Sequence, residues 1–323
     1  MKKKLYLTDL KIGDSIFGET FAVKSYKRAA TRNNKPFIDI ELADNSGSIK
    51  GKVWSDDISA CDKVTEGDVV EVTATIEDFM NAPQMKITNM KKTEVYELTE
   101  LQQKSDFDID KMWKDLEDII SKIKNPHLKK LLNNVFDEET IQKFKEAPAA
   151  YKVHHNYLGG LIEHTWEMIR MSESVQSHYP KLNLDLLQTG ILLHDIGKIQ
   201  ELEASTTILI TNQGKLLGHI YMGAEMVKNK AQDDIPEDLL NEVLHIILSH
   251  HGTKEYGSPV VPMTSEAITV HVMDNASAKI RIAYSQIHGD LGSEQFTQFV
   301  PQLGTELYRS PYTEEAINED IPF

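Results

Sequence analysis

Between residues 164 and 274 the chain places His164, the pair His194-Asp195 inside LLHDIGK, His219, the pair His250-His251, and Asp274. No other feature restricts the fold so strongly. Imidazole nitrogens bind first-row transition ions, and a carboxylate can bridge two of them. Two such ions can activate a water and stabilise an in-line displacement at phosphorus. Each residue of the set lies in a helix-like or helix-bounding stretch, so several helices have to converge for the set to act together. A His-Asp dipeptide alone arises by chance; the ordered set H…HDxGK…H…HH…D is specific. The segment DLLQTGILLHDIGKI is apolar around the pair, which predicts a buried helix carrying His194 and Asp195. A buried carboxylate without a partner is costly, and a metal ion removes that cost.

The flanking segments give the local expectations. Gly159-Gly160 predicts a turn, followed by a helix in which Leu161, Ile162, Thr165, Met168 and Ile169 surround His164. Residues 206–211 and 215–217 flank Asn212-Gln213-Gly214 and read as a β-hairpin, with His219 opening the next helix. The stretch LLNEVLHIILSHHG delivers His250-His251 at a helix C-terminus capped by Gly252. His245 falls out of phase with that pair and reads as core or support. Asp274 lies on a later helix, with His271 one turn earlier on the same face.

Further residues have the chemistry of a phosphodiester site. Lys198, three residues after Asp195, is placed to steady charge on a scissile phosphate, so Asp195 and Lys198 are the catalytic candidates. His154 and His155 precede the His164 helix and are expected at the mouth of the site, where an imidazole binds phosphate or protonates a leaving group. His271 is a candidate to support a ligand or touch substrate. Arg281, seven residues after Asp274, is a candidate to reach a neighbouring phosphate.

Residues 150–290 resemble the HD superfamily of metal-dependent phosphohydrolases, named for the His-Asp pair. The resemblance implies that His164, His194, Asp195 and Asp274 hold one ion. It further implies that Asp195 bridges to a second ion held by His219, His250 and His251. Mononuclear members lack some of these histidines, and this chain has all of them, so two ions are expected. Imidazole-rich donors favour Mn²⁺ or Co²⁺, with Fe or Zn also suited, over Mg²⁺, which prefers oxygen.

The first 92 residues read differently. Five short strands are expected at 16–28, 36–43, 47–54, 68–78 and 83–90, separated by Gly-, Asn- and Pro-containing turns. In PFIDIEL, Ile38, Ile40 and Leu42 share one face, and Phe37, Asp39 and Glu41 share the other. In GSIKGKVW, Ile49 and Val53 oppose Lys50, Lys52 and Trp54. Five such strands predict a small closed barrel, and the run from Phe37 to Trp54 resembles an OB-fold of the nucleic-acid-binding kind. Such barrels stack bases on aromatics and track phosphates with cations. The candidates are Tyr26, Phe37 and Trp54 with Lys50 and Lys52, beside the basic loop KSYKRAATRNNK. For each of these the ordinary alternative is packing or a solvated face.

Charge supports this division. The net charge of −15 argues against tight nonspecific binding to duplex nucleic acid. Residues 1–95, however, carry 15 basic and 15 acidic side chains, so the whole excess lies further on. The single cysteine, Cys61, excludes an intrachain disulfide and fits a reducing cytoplasm. No apolar run suits a membrane span, and the basic start lacks the apolar core of a leader. A homo-oligomer is compatible with the sequence, which sets no oligomeric state.

The expected organisation is therefore multidomain α+β. An OB-type β-barrel spans 1–92, and a linker and helical connector span 93–150. An all-α HD helical bundle with a small β-hairpin insertion spans 151–307, and an acidic tail spans 308–323. In the connector, Asp108, Pro126 and Asp137 mark helix starts. This order of parts, with HHNYLGGLIEHT, HDIGK, GKLLGHI and SHHG, resembles the YhaM-type 3′–5′ exoribonucleases of Gram-positive bacteria. That resemblance implies Mn²⁺ or Co²⁺ dependence, trimming of single-stranded RNA, and sometimes DNA, from the 3′ end, and release of 5′-mononucleotides. Two rivals stay open on the residues alone. One is an HD phosphohydrolase acting on a free nucleotide or cyclic dinucleotide. The other is a non-catalytic nucleic-acid-binding or replication-associated factor.

Overall fold

In β2 (Pro36–Asp44) the alternation of PFIDIEL becomes a barrel wall: Ile38, Ile40 and Leu42 are buried, while Asp39 is exposed. The computed structural model describes residue 3 and residues 5–79, 82–151, 155–231, 235–289 and 295–310. His154 and the tail from 311 onward lie outside the described residues.

Five strands close the barrel in the order β1-β2-β3-β5-β4. They are β1 (Ser15–Ala30), β2, β3 (Gly47–Val53), β4 (Val69–Phe79) and β5 (Ala82–Lys92). The long β1 pairs antiparallel with both β2 and β4, and register shifts at Phe17/Glu19 and Val23/Ser25 let one strand bend around both neighbours. Closure is by parallel pairing of β3 with β5, where Gly51 registers with Met85. Ile16, Phe21, Val23, Val53, Val72, Ile76 and Ile87 fill the interior.

The helical unit has its own core. Helices α1 (Ile109–Lys122), α2 (Pro126–Val135) and α3 (Glu138–Glu146) start where expected. Asp108, Asn125 and Asp137 each accept backbone N–H groups of the first turn. Trp113, Phe136 and Phe144 interlock among these helices, and Trp113 and Phe136 are 5.4 Å apart between ring centroids. This apolar cluster continues without a break into α4 (Gly160–His178), α5 (Leu184–Leu193), α7 (Asn212–Lys230), α8 (Glu237–Ser249) and α9 (Ser265–Gly289). Between α5 and α7 lie the short α6 (Lys198–Glu201) and a two-stranded ribbon, β6 (Leu202–Ala204) with β7 (Ile208–Ile210).

Two local expectations need correction. The hairpin exists, but its turn is Ser205–Thr207, and Asn212-Gln213-Gly214 is instead the first turn of α7. The reason is a cap: Thr211 Oγ1 accepts from Gly214 N at 2.9 Å and so nucleates a helix where a reversal was expected. The His194-Asp195 pair is not inside a helix. Helix α5 ends at Leu193 with His194 as its cap, and Asp195 stands on the tight turn beyond. That turn frees the pair from the helix wall.

The barrel and the helical unit touch through the ribbon and through Tyr151, and Gln102 of the connector also bonds the ribbon. Thr206 Oγ1 donates to Gly67 O, Tyr151 donates to Glu66 at 2.6 Å, and the side chain of Gln102 donates to Ser205 O. No helix among the described residues is long and apolar enough to cross a membrane.

Candidate metal centre

Five different elements bring the histidine-aspartate set to one point. His164 comes from the first turns of α4, His194 and Asp195 from the end of α5, and His219 from α7 just past a break at Gly218. His250 and His251 come from the end of α8, and Asp274 from the middle of α9. His164, His194 and His250 are fully buried, and Asp195 is 2% exposed. Gly197 of HDIGK makes the convergence possible, because any Cβ there would collide with the carbonyl oxygen of His219.

Asp195 is the hub. Its Oδ2 lies 3.3 Å from His194 Nε2 and 3.9 Å from His164 Nε2, and it accepts from Lys198 Nζ at 2.6 Å. Its Oδ1 lies 3.4 Å from His250 Nε2 and 3.5 Å from His219 Nε2. Asp274 Oδ1 closes the other side, 3.3 Å from His164 Nε2. Ligand atoms of His164, His194 and Asp195 all fall within 4.8 Å of one another, and so do those of His219, His250 and His251.

The five histidines share an orientation. The Nδ1 of His194 meets Ile191 O at 2.7 Å, that of His250 meets Ile247 O at 2.7 Å, and that of His251 meets Tyr256 O at 2.8 Å. The Nδ1 of His219 meets Glu201 at 3.0 Å, and that of His164 meets Ser277 Oγ at 3.0 Å. Each ring is anchored through Nδ1 and turns Nε2 elsewhere, and the Nε2 atoms of all but His251 are placed against the carboxylates by the distances above. Burial pushes His164, His250 and His251 below the usual imidazole range, towards the neutral form that ligates. For His194 burial acts the same way, but the neighbouring Asp195 carboxylate overcomes it and raises the group. Burial alone would raise Asp195, yet Lys198 and His194 hold it well below the ordinary carboxylate range. Asp274 is likewise lowered against its burial, chiefly by His164.

A test of fit for metal follows from the polar atoms left over. Asp195 Oδ1, His219 Nε2 and His250 Nε2 are buried, face one another and make no hydrogen bond. Buried polar groups are rarely left in this state. A cation placed among these lone pairs satisfies all three, so the residues fit a transition ion.

The remaining expected residues are distributed unevenly. Lys198 points into the centre and is bonded to Asp195. His155 is buried behind the centre, not at its mouth. Its ring lies 5.4 Å from that of His164, and its Nε2 lies 3.3 Å from Glu167. Arg281 is not free to reach a phosphate, because it bonds both Glu163 and Glu167. His271 Nδ1 donates to His250 O at 2.8 Å and packs over Gly252, so it holds the His250-His251 turn. His245 accepts from Met263 N at 2.9 Å in the loop before α9.

On the barrel, Phe37 and Trp54 pack with ring centroids 5.7 Å apart and planes tilted by 37°, and Lys52 Nζ lies 5.0 Å from the first ring and 5.5 Å from the second. Phe79 joins them, 5.4 Å from Lys52 Nζ and 48% exposed. Tyr26 does not join this face. It registers with the inward Ile40 and packs on the barrel core. Lys50 registers with Glu41 and Lys52 with Asp39, so cations and acids alternate on the surface.

Sequence reasoning missed Glu201, Glu163, Glu167, Ser277 and Phe79. The carboxylates had a signal: Glu163 and Glu167 sit four apart, flanking His164 on an otherwise apolar stretch. Phe79 had none beyond being aromatic near a strand end.

An HD-type metal centre in a helical unit, preceded by an OB barrel, defines the class of protein. The HD domain model matches residues 161–279, and the model of an OB-fold nucleic acid binding domain matches residues 15–93. A 3′-5′ exoribonuclease YhaM from Shouchella clausii is 33% identical over 84% of this chain and 86% of its own length. The protein of the same name from Bacillus licheniformis is 34% identical over 80% of this chain and 84% of its own. The chain belongs to the YhaM 3′-5′ exoribonuclease family. Among solved structures, the second OB-fold domain of replication protein A from Methanococcus maripaludis matches 29% of this chain and 97% of its own, with 18% identity and a TM-score of 0.22.

Proposed function

We propose that the protein trims single-stranded RNA from its 3′ end by metal-dependent hydrolysis and releases 5′-mononucleotides, with single-stranded DNA as a second substrate. The observation that carries this reading is the set of five histidines anchored at Nδ1 around the shared carboxylate Asp195. Family membership supports the direction and the exonucleolytic character.

In this reading His164, His194, Asp195 and Asp274 would hold one divalent ion, and Asp195 with His219, His250 and His251 would hold a second. Ions held there supply Lewis acidity, which lowers the pKa of water and offsets charge developing at phosphorus. The imidazole-rich donors favour Mn²⁺ or Co²⁺, with Fe and Zn as further candidates. Lys198, held at Asp195, presents its ammonium where a phosphoryl oxygen becomes more negative. The burial of His164, His194, His250 and Asp195 strengthens each of these electrostatic contacts. At the barrel, Phe37, Trp54 and Phe79 offer stacking faces, while Lys52 and Lys50 offer phosphate contacts. A cytoplasmic location fits work on RNA.

The test is incubation of Mn²⁺-loaded protein with 5′-labelled single-stranded RNA and with the same RNA blocked at its 3′ end. A descending ladder of labelled remnants, with the unlabelled 5′-mononucleotides identified by chromatography and both abolished by the block, is the expected result. Inert RNA beside a hydrolysed nucleotide or cyclic dinucleotide would replace this reading with a small-molecule phosphohydrolase. Binding without cleavage would make the protein a nucleic-acid-binding factor.

A further inference from the structure

Among the five anchored histidines, His164 differs in its partner. The other four place Nδ1 against a carbonyl or a carboxylate, which can only accept, so their protons are fixed on Nδ1. His164 meets a hydroxyl, and Ser277 Oγ can donate or accept. Two outcomes are open to such a pair, and only one leaves the lone pair on Nε2, the atom beside Asp274 and His194.

Glu167 decides between them. Ser277 Oγ donates to Glu167 Oε2 at 2.8 Å, so its proton is committed and its oxygen accepts from His164 Nδ1–H. Glu167 in turn is kept ionised. Burial would raise it, but His155 and Arg281 hold it down at about 2. Arg281 bonds Glu163 as well, and Glu163 accepts from Ser105 Oγ at 2.6 Å. The geometry follows from helix pitch. Asp274, Ser277 and Arg281 fall on one face of α9, opposite Glu163, His164 and Glu167 on α4. A Cβ at Gly160 would collide with His155 O, so that glycine lets His155 close in behind the carboxylates.

We propose that Ser277 and Glu167 are positioning residues that lock the His164 imidazole with its proton on Nδ1 and its Nε2 lone pair toward the metal centre. This rests on the reading of His164 as a ligand. Outer partners of ligating histidines fix tautomer and ring orientation, and their loss typically weakens metal binding by about 10–100-fold.

The experiment is a Mn²⁺ binding isotherm on purified full-length protein without RNA, read from the EPR signal of free Mn²⁺. Wild type is compared with Ser277→Ala, Ser277→Thr, Glu167→Gln and His164→Ala. Ser277→Ala is expected to weaken one of two ions by about 10–100-fold and leave the other unchanged, with Ser277→Thr recovering most of the affinity. Glu167→Gln is expected to do the same as Ser277→Ala. Its amide can donate to the serine oxygen and turn the hydroxyl proton towards His164, which favours the wrong tautomer. Wild-type affinity in both Ser277→Ala and Glu167→Gln, alongside a defective His164→Ala, overturns the proposal while leaving His164 a ligand. Two ions bound at wild-type affinity by His164→Ala overturn the ligand reading and the proposal with it. Metal-free melting curves check folding, and if Ser277→Ala fails to fold, the near-isosteric Glu167→Gln decides alone.

Discussion

The two halves of the molecule handle their functional side chains in opposite ways. In the helical unit, His164, His194 and His250 are fully buried, Asp195 is nearly so, and each histidine ring is anchored from behind. On the barrel, Trp54 and Phe79 are open to solvent around Lys52, and acids are interleaved with the cations. A buried polar cluster is all-or-nothing, because removing one partner leaves the others desolvated and unpaired. An exposed stacking face is graded, since each ring and each charge contributes separately. Chemistry concentrated in the first and grip distributed over the second is the division expected of an enzyme that holds a polymer while working at its end.

The sharpest way to break this comparison is Asp195→Ala. Asp195 faces both halves of the histidine set, so bound metal should fall from two equivalents towards none and turnover by more than about 1,000-fold, beyond the usual effect of one electrostatic stabiliser. Metal analysis by mass spectrometry checks it. Retention of two equivalents would mean that Asp195 is not the shared ligand.

Lys198→Ala comes next. The ammonium is bonded to Asp195 but is not a ligand, so metal content should stay at the wild-type level. If Lys198 steadies the phosphoryl charge, kcat should fall by about 2–4 kcal/mol in barrier, with KM little changed. Single-turnover kinetics on saturating RNA measure this. Wild-type turnover would reduce Lys198 to a neutralising partner of Asp195.

What was legible in the sequence follows the same division. The candidate ligand residues could be read as a group because metal chemistry admits few residue types, and His164, His194, Asp195, His219, His250, His251 and Asp274 do converge. The barrel could be read because period-two alternation in β2 and β3 is a direct imprint of inside and outside. The supporting residues were not legible, since Ser277, Glu167 and Glu201 act through where α4, α6 and α9 pack, and spacing along one chain does not reveal which helices adjoin. His155 and Arg281 failed for that reason too: their residue types suited a phosphate, and the fold gave them carboxylates. The hairpin around Asn212-Gln213-Gly214 failed because the Thr211 cap outcompeted a local turn signal.

Trp54→Ala tests the graded side. Loss of one stacking face should weaken binding of a long single strand by about 1–3 kcal/mol, with hydrolysis of a chromogenic phosphodiester unchanged. Phe79→Ala should give a loss of the same kind if the three rings form one platform. An effect at Trp54 with none at Phe79 would confine stacking to the Phe37–Trp54 pair. Equal losses on long and short substrates would make the barrel face structural.

Lys52→Ala should have the smallest effect and the clearest signature. Its ammonium lies among the three rings, and Asp39 faces it across the strand pair, so its charge acts beside an acid on the same surface. If it still contacts one phosphate, its removal should make the slope of log K against log salt shallower by about 0.7, the single-strand value per contact. The affinity loss should shrink as salt rises, because the counterion released by that contact no longer contributes. Fluorescence anisotropy of a labelled RNA across a salt series measures both. A loss of affinity with an unchanged slope would mean that Lys52 acts by ordering Phe37, Trp54 and Phe79, and the barrel's grip would then be stacking with little electrostatic share.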